Sequence, residues 1–550
     1  MRGVNRQKRI EKNVMNYVGT VTHTGTKLEN NNQVFYKQWF GEQEYLRNNP
    51  KNSGFYPIAN DHLDRTVPWC LLKGEGNDTI VLIHHSDIVD TDVYGSLKDI
   101  AYYPEKLMEK LREGKLELTE DAKKDLDSGE WLFGRGVADM KGGAAIHLAL
   151  LEEYMDEEGF KGNLVFIGVP DEENLSAGMR GAIPLLKELK EKHGLDYVLM
   201  LNVEPHDRVN PEVQTFYDGS VGKLMPVVYV RGKLTHVGHI FQGFNPVNLL
   251  AEIVRRTEVN PEFLERVGNT VTPPPTWLYS KDRKEVYDVS LPMAAAGYMS
   301  ILTLAKPPKD IFEAIRRISE ESFDKVIEDL NSSYAKYLEL KGEEIVRLPW
   351  KTNVKLYGEL YKQAVADSGE EFIKAMEEMM KGIKQEIQDQ KLTTINAAYR
   401  IIEKTLEYVN DMSPMVVIAL APPYYPNVNN LMLPEMKPRI DKGMEAVEEL
   451  AKINWGQECY TQNYFTGISD LSYAMFEVDK ENIGYIEDNM MLWKDTYYIP
   501  LETMKELSMP VINLGPWGKD YHKYMERVFM QDLYDRTPKM VDKLIRTILG

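Results

Sequence analysis

Cysteine is nearly absent from this chain of 550 residues: Cys70 and Cys459 are the two it has, far apart and outside any C-x-x-C. That excludes a disulfide framework and a thiolate metal site, and it fits a reducing, cytoplasmic setting. Long apolar runs are absent too. No stretch approaches the roughly 20 residues needed to span a bilayer, and the basic start MRGVNRQKRIEKN is followed by no apolar segment of signal-peptide length. Positive charge is in short supply: 66 Lys and Arg stand against 85 Asp and Glu, a net charge of -19. Nucleic acid and an anionic membrane are disfavoured as main partners, and acidic side chains are left over for cations. What remains is an ordinary globular composition, 43% hydrophobic and 27% charged, in a chain too long for one simple core.

The organising stretch is TIVLIHHSD, residues 79–87. Ile80, Val81, Leu82 and Ile83 read as a strand buried on both faces, ending in His84, His85, Ser86 and Asp87. Residues two apart in a strand share a face, so His85 and Asp87 point the same way, as a ligating histidine and the acid that orients it would. The pattern of apolar strand followed by acid recurs. NLVFIGVPDEE (163–173) ends in Asp171, Glu172 and Glu173, and DYVLMLNVEPH (196–206) ends in Glu204 and His206. Between the first two, GRGVADMKGGAAIHLALLEEY is a Gly-rich loop opening a helix. A dinucleotide fingerprint fails there, because Asp139 occupies a position that needs glycine.

Strands alternating with helices, such as 183–189, predict a mostly parallel α/β sheet whose site lies beyond the carboxyl ends of its strands. After Asn210 the character changes. KLMPVVYVRGKLTHVGH and GYMSILTLAK read as strands, FNPVNLLAEIVRRT as a helix, and 310–411 as strongly helical with a Met-rich stripe (Met376, Met379, Met380) that suits core packing. VINLGP, near the end, is a fourth apolar run whose natural place is back in the first sheet. A terminal helix beginning near Tyr521 carries His522 in its first turn. The expected division is 1–213 and 425–550 as one α/β catalytic domain, with 214–424 an inserted α+β lid or dimerisation domain enlarged by helices.

His85, Asp139, Glu173, Glu204 and His522 form a set of imidazoles and carboxylates at strand ends and adjoining loops. Two zinc ions about 3.5–4 Å apart, sharing one bridging carboxylate, need five such groups. Nitrogen and oxygen donors discriminate poorly among metals, so cobalt or manganese would also suit. His23, His62, His147, His193 and His239 fall outside any ligand pattern.

The order of these motifs resembles one family, the zinc aminoacylase, glutamate carboxypeptidase and succinyl-diaminopimelate desuccinylase group of metallopeptidases. HHSD resembles its His-x-Asp, GRGVADMKGG its Gly-rich aspartate loop, PDEE its Glu-Glu pair, NVEP its Glu-Pro, and GPWGKDYH its closing loop with histidine. Length, the helical insertion and HHSD look closest to the arginine-utilisation protein RocB branch. The resemblance implies that Asp139 bridges two metals, with His85, Glu173, Glu204 and His522 as terminal ligands and Asp87 orienting His85. It also implies Glu172 as general base, a role that suits an acid next to a ligand yet not on the metal. His236 resembles a histidine that reaches a partner's active site in family dimers and stabilises the oxyanion. Asn245, Gly467 and Ser469 match substrate-contacting stretches. Thr303 stands where carboxypeptidase-like members place an arginine for the substrate carboxylate, which points to an unusual substrate.

The function this implies is metal-dependent hydrolysis of an amide bond in a peptide or N-acyl amino acid, linked to arginine utilisation, by a cytoplasmic homodimer. A non-catalytic metal-binding or regulatory protein that kept the fold is the alternative. A phosphatase-like dinuclear hydrolase is disfavoured by the acidic surroundings of the motifs.

Overall fold

The computed structural model describes residues 2–208, 210–477 and 480–550. Its first sheet has eight strands in the order Ser53–Pro57, Thr66–Lys73, Lys161–Val169, Glu75–His85, Asp196–Asn202, Val511–Asn513, Val213–Tyr217 and Glu458–Gln462. The four from Lys161–Val169 to Val511–Asn513 run parallel, while the first two strands and the Val213–Tyr217 junction are antiparallel. The architecture is α/β with a mostly parallel central sheet.

The alternation of side chains along a strand explains the near-continuous apolar sequence of the central ones. Val81, Ile83, Val165 and Ile167 enter one core with Met179, Ile183 and Leu186 of the helix Ala177–His193. Ile80, Leu82, Leu164 and Phe166 enter the other, against the helices Arg2–Val18, Lys141–Met155 and Thr537–Leu549. Lys141–Met155 lies beneath the other two, which is why its sequence is apolar almost all round.

The second sheet draws its strands from the chain between Val213–Tyr217 and Glu458–Gln462. Its order is Thr276–Asp282, Ala294–Thr303, Pro226–Arg231, Met415–Leu420 and Val354–Leu356, with Gly222–Leu224 paired to the end of Ala294–Thr303. The helical stretch resolves into Pro308–Lys341, Tyr357–Gln388 and Thr394–Leu406. It is interrupted by Val354–Leu356, which pairs in parallel with Met415–Leu420. Met376 is buried, and Met379 and Met380 pack against the same core.

One expectation fails. No helix begins at Tyr521: Gly518–Lys519 pairs with Arg527–Phe529, which pairs in turn with Trp131–Phe133, and the last α-helix starts at Thr537. His522 sits in the connection with a φ of 63°, beside Asp520 at 55°. Two left-handed residues in three cannot continue a right-handed helix. Among the described residues no helix is long and apolar enough to cross a membrane.

Candidate metal centre and cleft

The parallel strands end at one edge of the sheet, His85 opposite Val169 and Asn202 opposite Asn513. The loops that follow carry the acids. Asp87, buried beyond the Glu75–His85 strand, accepts the backbone N–H groups of Glu172 (3.1 Å) and Glu173 (3.2 Å), so one carboxylate joins two strand ends. His85 Nδ1 lies 3.1 Å from the Asp87 carbonyl oxygen, which can only accept. Asp139 Oδ1, 2.9 Å from Nε2, is likewise an acceptor only, so both ring nitrogens donate in this arrangement, and a cation bound at Nε2 would take the place of its proton.

Asp139 is held by the Gly-rich loop, and that loop is held by Glu526. The buried Glu526 carboxylate pairs with Arg135 (2.5 Å) and accepts from the backbone of Gly136 (2.8 Å), Ala138 and Asp139 (both 3.3 Å). Gly136 has a φ of 78°, and a Cβ there would meet Ile88 at 2.9 Å. The helix that follows starts hard against the Glu204 segment: a Cβ on Gly143 would lie 2.2 Å from the Val203 carbonyl oxygen.

His522 completes the group. Its Nε2 is 3.0 Å from Glu173 Oε1 and 3.3 Å from Asp139 Oδ2. The two oxygens of Asp139 thus face two different imidazoles. Donor atoms of His85, Asp139 and Glu173 all lie within 4.8 Å of one another. Asp139, Glu173, Glu204 and His522 form the floor of a cleft of about 470 Å³, with His85 buried beside Asp139, and its walls include Asn174, Lys223, Tyr425, Phe465, Gly467 and Tyr521.

Burial pushes the carboxyls of Glu172 and Glu173 up and that of Glu204 up to about 8, each further raised by neighbouring acids and eased by His85. Bonds to Asp139 and Glu173 push His522 up to about 10. Burial would lower His85, but its bond to Asp139 and the charges of Glu172 and Glu204 outweigh that. The donor set is three carboxylates and two imidazoles with a fourth acid alongside; His85, Glu172 and Glu204 are buried, Asp139 and Glu173 part-buried and His522 exposed, and the group carries too little positive charge. Divalent cations with nitrogen and oxygen preferences fit that set, and they supply the missing charge.

Not every candidate joins the cleft. Gly467 lines it, but Ser469 lies beneath, buried, accepting from Asn202 Nδ2 (3.1 Å) and capping the turn Asp470–Tyr473. Asn245 caps the helix Pro246–Thr257 through the Val247 N–H, and His236, exposed, caps the turn Val237–Gln242. Neither lines the cleft of its own chain. Thr303 is buried at its strand end opposite Gly222. His84 turns to the other face of the sheet and bonds Tyr36, and His206 is buried between the Gly515 carbonyl and Arg208. Lys223, Tyr425, Phe465 and Tyr521 are wall residues that motif reading passes over. So is Asp470, one residue past Ser469: it is buried with neither oxygen hydrogen-bonded, and burial pushes its carboxyl up to about 7.

Comparison with known proteins decides the family. The description "Peptidase family M20/M25/M40" matches residues 115–541. The chain belongs to this family. Two relatives in Bacillus subtilis (strain 168) extend the likeness over nearly the full length. Uncharacterized protein YqjN is 30% identical over 511 residues, 92% of this chain and 90% of its own. Protein RocB is 28% identical over 552 residues, 98% of this chain and 95% of its own, which agrees with the branch resemblance of the motifs. Among solved structures, the di-peptidase Dug1p from Saccharomyces cerevisiae shares the fold, with a TM-score of 0.52 at 10% identity, covering 99% of this chain and 98% of that one. As a member of the M20/M25/M40 family the chain is a metal-dependent hydrolase of the peptidase and amidohydrolase kind.

Proposed function

We propose that this protein hydrolyses an amide bond in a small peptide or N-acyl amino acid, with two zinc ions, as a step of arginine utilisation. The observation that carries the reading is the Asp139 carboxylate, whose oxygens face His85 Nε2 and His522 Nε2 separately. His85, Asp139, Glu173, Glu204 and His522 would hold the metals, with Asp139 shared, and cobalt or manganese would fit the same donors. Two such cations supply Lewis acidity, which polarises a carbonyl and lowers the pKa of water to about 7.

Glu172 is the base. It lines the cleft beside Glu173, and burial keeps its carboxyl well above the usual carboxylate range, so it can take a proton from the attacking water and hand it to the leaving amine. Asp87 holds both Glu172 and Glu173 by their backbone. The arginine link rests on the branch resemblance of the motifs, with which the likeness to Protein RocB agrees. We take residues 1–213 and 425–550 as the catalytic domain, 214–424 as an inserted lid or dimerisation domain, and a homodimer as the working form, with His236 serving the partner's site and Asn245, Gly467 and Ser469 shaping the substrate subsites. Two free cysteines suit a cytoplasmic setting.

The test is Glu172→Gln. Turnover of N-acyl amino acids should fall by about 10²–10⁴, while elemental analysis still finds two metals per chain. Loss of the metals would make Glu172 a ligand and sink its role as base.

A further inference from the structure

Every ionisable side chain lining the cleft is a carboxylate, Tyr425, Tyr521 or His522, with one exception. Among the described residues Lys223 is the sole lysine or arginine there. It stands on the short strand Gly222–Leu224, and its backbone is fixed from the other side as well: its N–H donates to the Tyr425 carbonyl (2.9 Å) and its carbonyl accepts from Tyr425 (3.0 Å). The side chain is half-buried, and among the described residues no carboxylate pairs with its ammonium. Glu172 acts on it only through space.

The neighbouring strand offers no substitute. Thr303 pairs with Gly222 so closely that a Cβ on the glycine would lie 2.4 Å from its Oγ1. Position 303 is buried in the crossing, and Lys223 is the residue of this strand pair that reaches the cleft.

An ammonium taken partly out of water without a partner is costly, and a counter-anion entering the cleft offsets that cost. Asp139, Glu173 and Glu204 are taken by the metals in this reading, and Glu172, though it lines the same cleft, does not pair with the ammonium. We infer that Lys223 binds an anionic group of the substrate, a carboxylate, and so makes the cleft selective for amides that carry one. A carboxylate suits better than a phosphate, because four carboxylates already line the cleft and a dianion would be repelled more strongly. The inference rests on the hydrolase reading for the word substrate, but not for the binding itself.

The experiment compares metal-replete wild type, Lys223→Met and Lys223→Arg. The probes are N-acetylarginine with N-acetylargininamide, and N-acetylalanine with N-acetylalaninamide, followed by calorimetric binding and by hydrolysis. Wild type should prefer the acid of at least one pair by about 10- to 100-fold, the scale of a hydrogen bond to a charged group. Lys223→Met should lose that preference with metal content unchanged, and Lys223→Arg should keep most of it. In turnover the loss should fall on KM for the acid, with kcat held. A preference that survives in Lys223→Met overturns the inference. So does binding of neither pair by wild type, or an equal fall in kcat for acid and amide at unchanged affinity, which would make Lys223 a group that acts on Glu172. Acid-selective binding without turnover would instead sink the hydrolase reading and leave Lys223 in place.

Discussion

His85 and His147 show how differently two buried histidines are used. His85 has a partner for each ring nitrogen, in Asp87 and Asp139, whereas neither nitrogen of His147 has one, and burial lowers its pKa to about 3. A histidine depressed in this way binds its proton in the unfolded chain, near pH 6.5, well before it does so in the fold. Between those values the unfolded state holds one more proton, so stability is full above about pH 6.5 and falls as the pH drops. The cost reaches about 2 kcal/mol by pH 5 at 1.36 kcal/mol per unit. His147→Leu removes the group. Urea unfolding at pH 8 and pH 5 should therefore show the variant gaining about 2 kcal/mol on the wild type at the lower pH; an equal gain at both would mean that His147 does not titrate as its burial demands. At this scale the ligand candidates were legible because each lies in a short distinctive motif. Lys223 was not, since what singles it out is the absence of a nearby partner among residues distant in sequence, and Asp470 was missed one position from Ser469 because burial has no local spelling.

At the level of elements, the strands and the helix Lys141–Met155 follow from apolar patterning, since both faces of the central strands are covered. The hairpin Gly518–Lys519 with Arg527–Phe529 does not. The helix expected from near Tyr521 gives way there to pairing with Trp131–Phe133, nearly 400 residues earlier in the chain. That hairpin also carries Glu526, the clamp on the Asp139 loop, so its placement matters to the site. Breaking a buried charge pair by removing one partner leaves the other uncompensated, at about 3–5 kcal/mol. Glu526→Gln should cost stability of that order, because Arg135 is left buried and the Gly136 N–H loses a charged acceptor. With Asp139 less firmly placed, metal retention under a chelator should fall as well. Unchanged retention would show that the loop holds Asp139 without help from the hairpin.

For the molecule as a whole, Val511–Asn513 lies beside Asp196–Asn202 in the first sheet, which the apolar run VINLGP anticipated. What sequence could not supply was where the second sheet's side chains end up. His236 lies on an exposed turn, outside the cleft of its own chain, and Val237, Ile240, Val289 and Met293 are exposed with it, as are Leu278 and Tyr279 of the edge strand Thr276–Asp282. Exposed apolar residues beside the His236 turn, and others on the edge strand, suit association with a second copy, which would cover them and the unpaired edge. If the homodimer places His236 in the partner's cleft, His236→Ala and Glu172→Gln disable different halves of one shared site. Each pure variant should be nearly inactive. Subunit exchange between equal amounts makes half of all dimers mixed, and each mixed dimer holds one site with its own Glu172 and the partner's His236 intact. Activity should then return to about one quarter of wild type, as random pairing about a two-fold axis requires. Sedimentation showing a dimer, with no recovery on mixing, would put His236 outside the chemistry; a monomer with full activity would remove the shared site altogether.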